Sequence, residues 1–135
     1  MNKRTLEKAK EHKIANILDY DKSEGVNSFT LNGGLAWLDK DTRVGLVNSL
    51  QIEKSAGRIN TELWLNGVKY DLPIDHVLQM LVVLELYAKE CYNVTQQHIA
   101  NVKKLNDLNR VWNYNYTKGY PKRPSFDIPL TESQK

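Results

Sequence analysis

The sequence predicts an α+β protein, in which an antiparallel sheet of two β-hairpins packs one face against a long central helix, with two shorter helices beside it. Apolar residues recur with a 4-3-4-3 spacing across residues 73–105, which is typical of a long helix. Two turn signals, Asn32-Gly33-Gly34 and Asn66-Gly67, each separate two extended segments, as in β-hairpins. With 135 residues, of which 41% are hydrophobic, the chain has a common single-domain size, so we expect one core in a single domain over residues 1–126.

The N-terminal part of the chain predicts a helix followed by a hairpin. Over residues 4–20 apolar side chains recur at helical spacing, and Thr5 is placed to cap the start of this helix. Residues 26–32 then alternate between apolar and polar side chains, and Leu35–Leu38 can return as a second strand after the turn. We therefore predict a hairpin over residues 26–38.

A second helix is predicted over residues 41–56. Asp39 and Asp41 stand where a helix start favours carboxylates, because their oxygens accept free backbone N–H groups and their charge suits the helix dipole. Gly57 follows the last helical position, where glycine often ends a helix. Helix capping therefore explains both aspartates without a metal ion.

The clearest local pattern is a hairpin over residues 59–72. A two-residue turn at Asn66-Gly67 would pair Leu65 with Val68, Leu63 with Tyr70 and Thr61 with Leu72, all on one face. The other face would carry polar side chains together with Trp64. This pattern predicts one buried face and one solvent-facing face.

A long helix is predicted over residues 73–105, with Pro73 as its first residue. Its apolar stripe comprises Val77, Leu81, Leu84, Ala88, Cys91, Thr95, His98, Val102 and Leu105. Between Val77 and Tyr87 the helix is apolar on more than one side, so we expect this half to be a buried spine. A short helix over residues 107–113 follows, and from about Ser125 we expect an irregular tail, with residues 127–135 outside the domain.

Residues that often carry chemistry are present but scattered. The histidines His12, His76 and His98 stand in different predicted segments, and no two have the i, i+4 spacing of a helical metal site. His98 and the single cysteine, Cys91, lie on the apolar stripe, which favours structural roles over a ligand and a nucleophile. We therefore predict a protein that is not an enzyme and that holds no cofactor and no metal.

Two aromatic features are candidates for a contact surface, and the first is Trp64. It is expected on the solvent-facing side of the second hairpin, opposite Lys69. Two interpretations stay open. The indole is either covered by the stem of Lys69, with a small cation–π gain, or it is an interface anchor, since Trp is enriched at binding hot spots.

The second feature is the segment over residues 112–123, in which aromatic and basic side chains are interleaved. Its candidate contact residues are Trp112, Tyr114, Tyr116, Tyr120, Lys118 and Arg123. Such a pattern can stack on bases or sugars, which predicts a nucleic-acid-binding accessory protein as the alternative function. The structural interpretation is that Trp112, Tyr114 and Tyr120 hold the C-terminal segment against the helices.

The net charge of +3 is unevenly distributed along the chain. Residues 1–13 carry +3 and residues 118–123 a further +3, whereas the remainder carries −3. Because a nucleic-acid domain usually places its basic stripe on the globular body, nucleic acid is the less favoured partner. The longest apolar run, Met80–Leu84, is too short to cross a bilayer, and residues 1–13 lack the apolar region of a signal peptide. We expect neither a membrane partner nor secretion through a signal peptide.

Five segments occur in an order and spacing that resembles a known domain family. They are VNSFTLNG at residues 26–33, WLDKDTR at 37–43, LWLNG at 63–67, LYAKECYNVTQQH at 86–98 and YTKGYP at 116–121. Over roughly residues 5–126 the chain resembles a domain family of unknown function from tailed phages and prophages of gut bacteria. Members often form the C-terminal part of proteins from the tail-fibre region.

The resemblance implies a phage or prophage structural or assembly module that acts through protein–protein contacts. It would work in the virion or in the bacterial host cytoplasm, and its partners would be other phage or prophage proteins. A second copy of the chain is a further candidate partner, because the first helix and the solvent-facing side of the second hairpin each offer apolar contact surface.

Overall fold

The computed structural model describes residues 3–128, and this part of the chain has an α+β fold with four helices and five strands. The helices are α1 (Lys3–Asp21), α2 (Lys40–Ser55), α3 (Ile74–Lys104) and α4 (Leu108–Trp112). The strands are β1 (Phe29–Leu31), β2 (Gly34–Ala36), β3 (Asn60–Leu65), β4 (Val68–Pro73) and β5 (Ser125–Phe126). The α+β class and the long central helix predicted from the sequence are confirmed.

The described residues divide into two compact units. Unit 1 contains residues 3–27 and 88–122, and unit 2 contains residues 28–87 and 123–128. Each unit has its own cluster of buried apolar side chains, whereas the sequence predicted one core. The buried stripe of α3, a helix of 31 residues, contributes to both clusters, with Val77 in that of unit 2 and Val102 in that of unit 1.

Unit 2 contains both predicted hairpins, but they belong to two separate sheets. The first sheet has the order β2-β1-β5 and the second has the order β3-β4. In the first hairpin Asn32 and Gly33 occupy the turn with φ of 49° and 84°. Positive φ at both positions is what a two-residue hairpin turn requires, and Asn and Gly tolerate it.

The segment after Pro124 is more regular than predicted. Ser125 and Phe126 form β5, which pairs in parallel with β1, and the Phe126 ring packs edge-on against Phe29 at 5.6 Å. Ile128 is buried, and its N–H donates to Asn32 Oδ1 at 2.7 Å. The prediction of an irregular chain from Ser125 onwards was therefore wrong at β5. Residues 129–135 of the predicted tail lie outside the described residues.

The second hairpin has the predicted register, with Leu65 opposite Val68, Leu63 opposite Tyr70 and Thr61 opposite Leu72. Residues on this face are buried except Val68, which lies beside the turn. The buried face packs with the first half of α3 in the cluster of unit 2. Pro73 ends β4, paired with Asn60, and α3 begins one residue later than predicted.

The two ends of α2 confirm the predicted caps. Asp39 is the N-cap residue, and its Oδ1 accepts the Thr42 N–H at 2.8 Å. At the other end Gly57 has a φ of 88°, and the N–H groups of Gly57 and Arg58 donate to Lys54 O and Glu53 O. This is the pair of bonds of a Schellman motif, which satisfies the last carbonyls of the helix.

Unit 1 contains α1, α4 and the second part of α3. Ala9, Ile17, Val102 and Val111 form its buried apolar cluster. Thr5 lies inside α1, which begins at Lys3, so the predicted cap at Thr5 was wrong. Among the helices that the structure describes, none combines the length and the apolar character needed to span a lipid bilayer.

Candidate contact surfaces

The solvent-facing side of the second hairpin presents Trp64. Successive residues of a strand point to opposite faces, so the burial of Leu63 and Leu65 turns Trp64 outward. The indole keeps 61% of its surface exposed. A large aromatic side chain is therefore displayed on a hairpin whose register is held by its turn and by its buried face.

Lys69 lies directly across from Trp64, as the predicted register requires. Its Nζ is 3.7 Å from Glu62 Oε1, so the ammonium group is drawn to a carboxylate two residues before Trp64. The lysine stem does not cover an indole that is 61% exposed. Of the two interpretations of Trp64, this geometry favours the interface anchor.

A second exposed apolar surface lies between α2 and α3 in unit 2. We call it the α2–α3 groove, a concavity of about 600 Å³ whose apolar lining includes Val44, Val47, Leu81 and Val82. Val44 and Val82 are more than half exposed, and Gly45 beside them leaves the backbone of α2 uncovered. The groove is therefore an apolar surface on two helices.

The apolar pattern of α3 indicated this surface in the sequence, but the prediction that all apolar sides of this half are buried was wrong. The first half of α3 is apolar on more than one side, and we expected this half to be a buried spine. Val77, Leu81 and Leu84 are buried, whereas Val82 and Leu86, one turn apart on another side, are 51% and 63% exposed. The second apolar side of α3 therefore faces solvent.

Arg43 forms a fixed polar border of the α2–α3 groove. Its side chain is buried, donates from Nη1 to Leu38 O at 2.6 Å and from Nε to Glu85 Oε2 at 3.0 Å, and lies over the Trp37 ring. A guanidinium group held by a carboxylate, a carbonyl and an aromatic face loses little further freedom when a partner binds.

In unit 1 the predicted aromatic segment bonds to α3 through its hydroxyl groups and packs its rings against Tyr20 of α1. His98 Nε2–H donates to Lys118 O at 2.7 Å, and Tyr114 Oη lies 2.6 Å from His98 Nδ1. Because a carbonyl only accepts, the Nε2 atom carries a proton, and in the neutral ring Nδ1 accepts from Tyr114. Tyr114 Oη also accepts from Asn101 Nδ2 at 3.0 Å. His98 is thus a satisfied structural residue.

A second hydrogen-bond network, formed with Thr95 and Asp21, holds Tyr120. Thr95 Oγ1 donates to Asp21 Oδ1 at 2.7 Å and lies 2.6 Å from Tyr120 Oη. Since the single proton of Thr95 goes to the carboxylate, Tyr120 donates to Thr95. Burial raises the pKa of Tyr120 above its ordinary value, and the negative charge of Asp21 adds to this shift.

The remaining candidates of this segment differ in exposure. Trp112 is 48% exposed, with its ring edge-on to His12 at 5.7 Å, and Lys118 is exposed. Tyr116 is half-buried against Tyr20, and Arg123 is half-buried in unit 2. The structure therefore supports the structural interpretation for the tyrosines, while Trp112 and Lys118 stay accessible.

Among residues of catalytic type, Cys91 and His98 are buried on α3, whereas His12 and His76 are exposed. Cys91 is 3% exposed on α3, and both ring nitrogens of His98 are in hydrogen bonds. The hydrogen bond from the Thr42 N–H holds the pKa of Asp39 below its ordinary value. Within residues 3–128 no three His, Cys, Asp or Glu side chains are grouped closely enough to hold a metal ion.

Comparison of the chain with models of protein families, with curated proteins and with solved structures finds no match.

Proposed function

We propose that this protein is a non-enzymatic phage or prophage structural or assembly module, from the tail or tail-fibre region, that acts through protein–protein contacts. The exposure of Trp64 carries the proposal, and the resemblance of the sequence to a domain family of tailed phages supplies the setting. The partners we propose are other phage or prophage proteins.

The hairpin presents Trp64 in a way that suits binding. The turn residues Asn66 and Gly67 have φ of 50° and 78°, the conformation that a two-residue hairpin turn needs. The side chain of Asn66 also donates to Leu35 O at 2.9 Å, which holds the turn to the first hairpin within unit 2. Because the backbone is held in place, a partner that covers Trp64 orders little beyond the indole itself.

The surroundings of Trp64 match the composition of a binding hot spot. Trp is enriched at such positions, where an aromatic side chain fills a pocket and polar neighbours form a rim. Glu62, Lys69 and Asp71 lie on the same solvent-facing side of the hairpin and supply that rim. The α2–α3 groove adds a second apolar surface in the same unit.

Purified particles test the proposal. The experiment induces a prophage that encodes the chain, purifies the particles and measures the chain in them, and in parallel recovers the tagged chain and identifies the phage products bound to it. We expect the chain in the particles or in a complex with a defined phage product. Absence from both fractions would overturn the proposal.

Self-association is measured separately by light scattering over a concentration series. The chain has a mass of 15.6 kDa, so a dimer is easily distinguished. If a second copy is the partner of the hairpin, the mass rises with concentration and Trp64→Thr lowers it. A mass of one chain at every concentration rules out self-association as the role of this surface.

A further inference from the structure

The charges of the described residues separate between the two units. Unit 1 contains twelve Lys and Arg residues against seven Asp and Glu residues, a net charge of +5. Within residues 28–87 and 123–128, unit 2 contains six Lys and Arg residues against eight Asp and Glu residues, a net charge of −2. Apart from Arg123, which is in unit 2, the two basic stretches at opposite ends of the sequence therefore belong to unit 1, together with Lys103, Lys104 and Arg110.

The basic side chains of the two units are also held differently. In unit 2, Arg43, Lys54, Arg58 and Lys69 each lie within 4 Å of a carboxylate. In unit 1, Lys10 and Lys13 donate instead to backbone carbonyls, those of Lys103 and Trp112. A carbonyl satisfies the ammonium hydrogen bond but leaves its full charge in place, so unit 1 keeps a positive field.

Trp112 is the exposed aromatic side chain of the 112–123 segment. The hydroxyl groups of Tyr114 and Tyr120 are in hydrogen bonds, whereas the Trp112 indole is 48% exposed with its ring edge-on to His12. The bond from Lys13 Nζ to Trp112 O, 3.0 Å long, fixes the backbone at this point. The indole is therefore positioned before any ligand arrives.

An exposed cation of α1 lies on the side of that helix from which His12 contacts this indole. Lys8 precedes His12 by four residues, which places the two on one side of α1, and the His12 ring lies edge-on to Trp112. Asn113 and Lys118 follow in the exposed part of the segment. Amide and cationic groups of this kind bind phosphate oxygens and sugars.

We infer that unit 1 binds single-stranded nucleic acid, with one base stacked on Trp112 and the phosphate backbone held by Lys8 and by other exposed cations of unit 1. An aromatic platform in a positive field is the arrangement by which proteins bind single strands without reading their sequence. The site accepts single strands rather than duplexes because a base must leave its stack to cover the indole. This activity is separate from the contacts proposed for unit 2.

The test is fluorescence anisotropy with a labelled twenty-nucleotide single strand, of DNA and of RNA, in a salt series. We expect binding at low salt that weakens as salt rises, and about tenfold weaker binding for Trp112→Ala, in the range of one lost base stack. The same oligonucleotide as a duplex binds more weakly. Lys8→Gln lowers the salt dependence by about one ion equivalent, the change expected for one lost phosphate contact.

Trp64→Ala is the matched control, because Trp64 is a more exposed tryptophan in the unit of opposite charge. It binds the single strand as well as the native chain does. Circular dichroism confirms that both variants are folded, and Lys8→Gln, which changes an exposed side chain, tests the surface without touching the aromatic packing. The inference is overturned by absence of binding at low salt, by equal loss in the two tryptophan variants, or by duplex binding as tight as that of the single strand.

Discussion

At the scale of one residue, Asp39 carries a carboxylate of the kind that binds metal ions, and this carboxylate caps the start of α2. Its Oδ1 accepts the Thr42 N–H, and this bond holds the pKa of Asp39 below its ordinary value. A lowered folded-state pKa means that the carboxylate stabilises the fold fully above its unfolded-state pKa. That contribution is lost as the pH falls through the folded-state pKa.

Asp39→Asn separates the charge from the hydrogen bond, because Asn is also a good N-cap residue. We expect the native chain to be more stable than the variant at neutral pH, with the difference shrinking as the pH falls below about 4, the ordinary pKa of an aspartate. Asp39→Ala, which removes the acceptor, should be less stable than both at neutral pH. Urea unfolding at several pH values measures this, and a difference that grows towards acid would contradict it.

Gly45 is a residue that the fold of the chain does not require. It lies inside α2, and an added Cβ would meet no atom within 4 Å. Since glycine is less favourable than alanine in a helix interior by about 0.8–1 kcal/mol, Gly45→Ala should raise the free energy of unfolding by roughly that amount. Chemical denaturation checks the prediction, with Gly57→Ala as the opposite control, because the positive φ of Gly57 makes that change destabilising.

The half-buried phenol of Tyr120 makes the stability of the protein depend on pH in the alkaline range. Burial raises the pKa of this phenol above its ordinary value of 10.0, so the neutral hydroxyl stabilises the fold below pH 10 and the contribution is lost as the pH rises through the raised pKa. Tyr120→Phe removes the phenol that must ionise. We expect the native chain to lose stability above pH 10 more steeply than the variant, as measured by thermal unfolding. Parallel curves would contradict the assigned role of the hydroxyl.

At the scale of elements, the second hairpin depends on its turn. Gly67 has a φ of 78°, which an L side chain rarely adopts. Gly67→Ala should destabilise the protein by about 1 kcal/mol or more, because the new Cβ strains this backbone. Equilibrium unfolding measures the change, and Gly34→Ala, at a glycine outside the positive-φ region, is the matched control.

The elements that were predicted well are those specified by neighbours in the sequence. The register of β3 and β4 follows from alternation and a two-residue turn, and the limits of α2 follow from Asp39 and Gly57. β5 was missed because its pairing with β1 joins residues more than ninety positions apart. Prolines at 121, 124 and 129 also suggested an irregular chain. The separation of the hairpins into two sheets is a long-range property of the same kind.

α3 shows the limit of a periodic pattern. The 4-3-4-3 stripe correctly identifies the side that is buried, from Val77 to Val102. A second apolar side, at Val82 and Leu86, has the composition of a buried surface and is exposed. Composition alone does not distinguish a core face from a binding face, since both are apolar, and only the position of the other elements separates them.

At the scale of the molecule, the contact surfaces were only partly predictable. The outward direction of Trp64 followed from the local alternation, whereas the α2–α3 groove requires two helices that the sequence does not place side by side. The collection of both basic stretches, except Arg123, in unit 1 is likewise a product of the fold. In the sequence these stretches are two separate ends outside the globular body, which made nucleic acid the less favoured partner.

We propose different tasks for the two exposed tryptophans. Trp64 would serve protein contact in a unit of net charge −2, and Trp112 would serve nucleic-acid contact in a unit of net charge +5. Substitution of one should leave the task of the other intact. This reciprocity makes each variant the control of the other.

The central claim, that the hairpin surface binds a phage or prophage product, is tested most directly by the amount of chain that co-purifies with that product. The measurement compares the native chain with Trp64→Thr, which keeps a residue favoured in strands, and with Trp112→Thr as the control. We predict a severalfold lower recovery for Trp64→Thr, with recovery of Trp112→Thr equal to that of the native chain. Equal recovery of all three chains would contradict the claim.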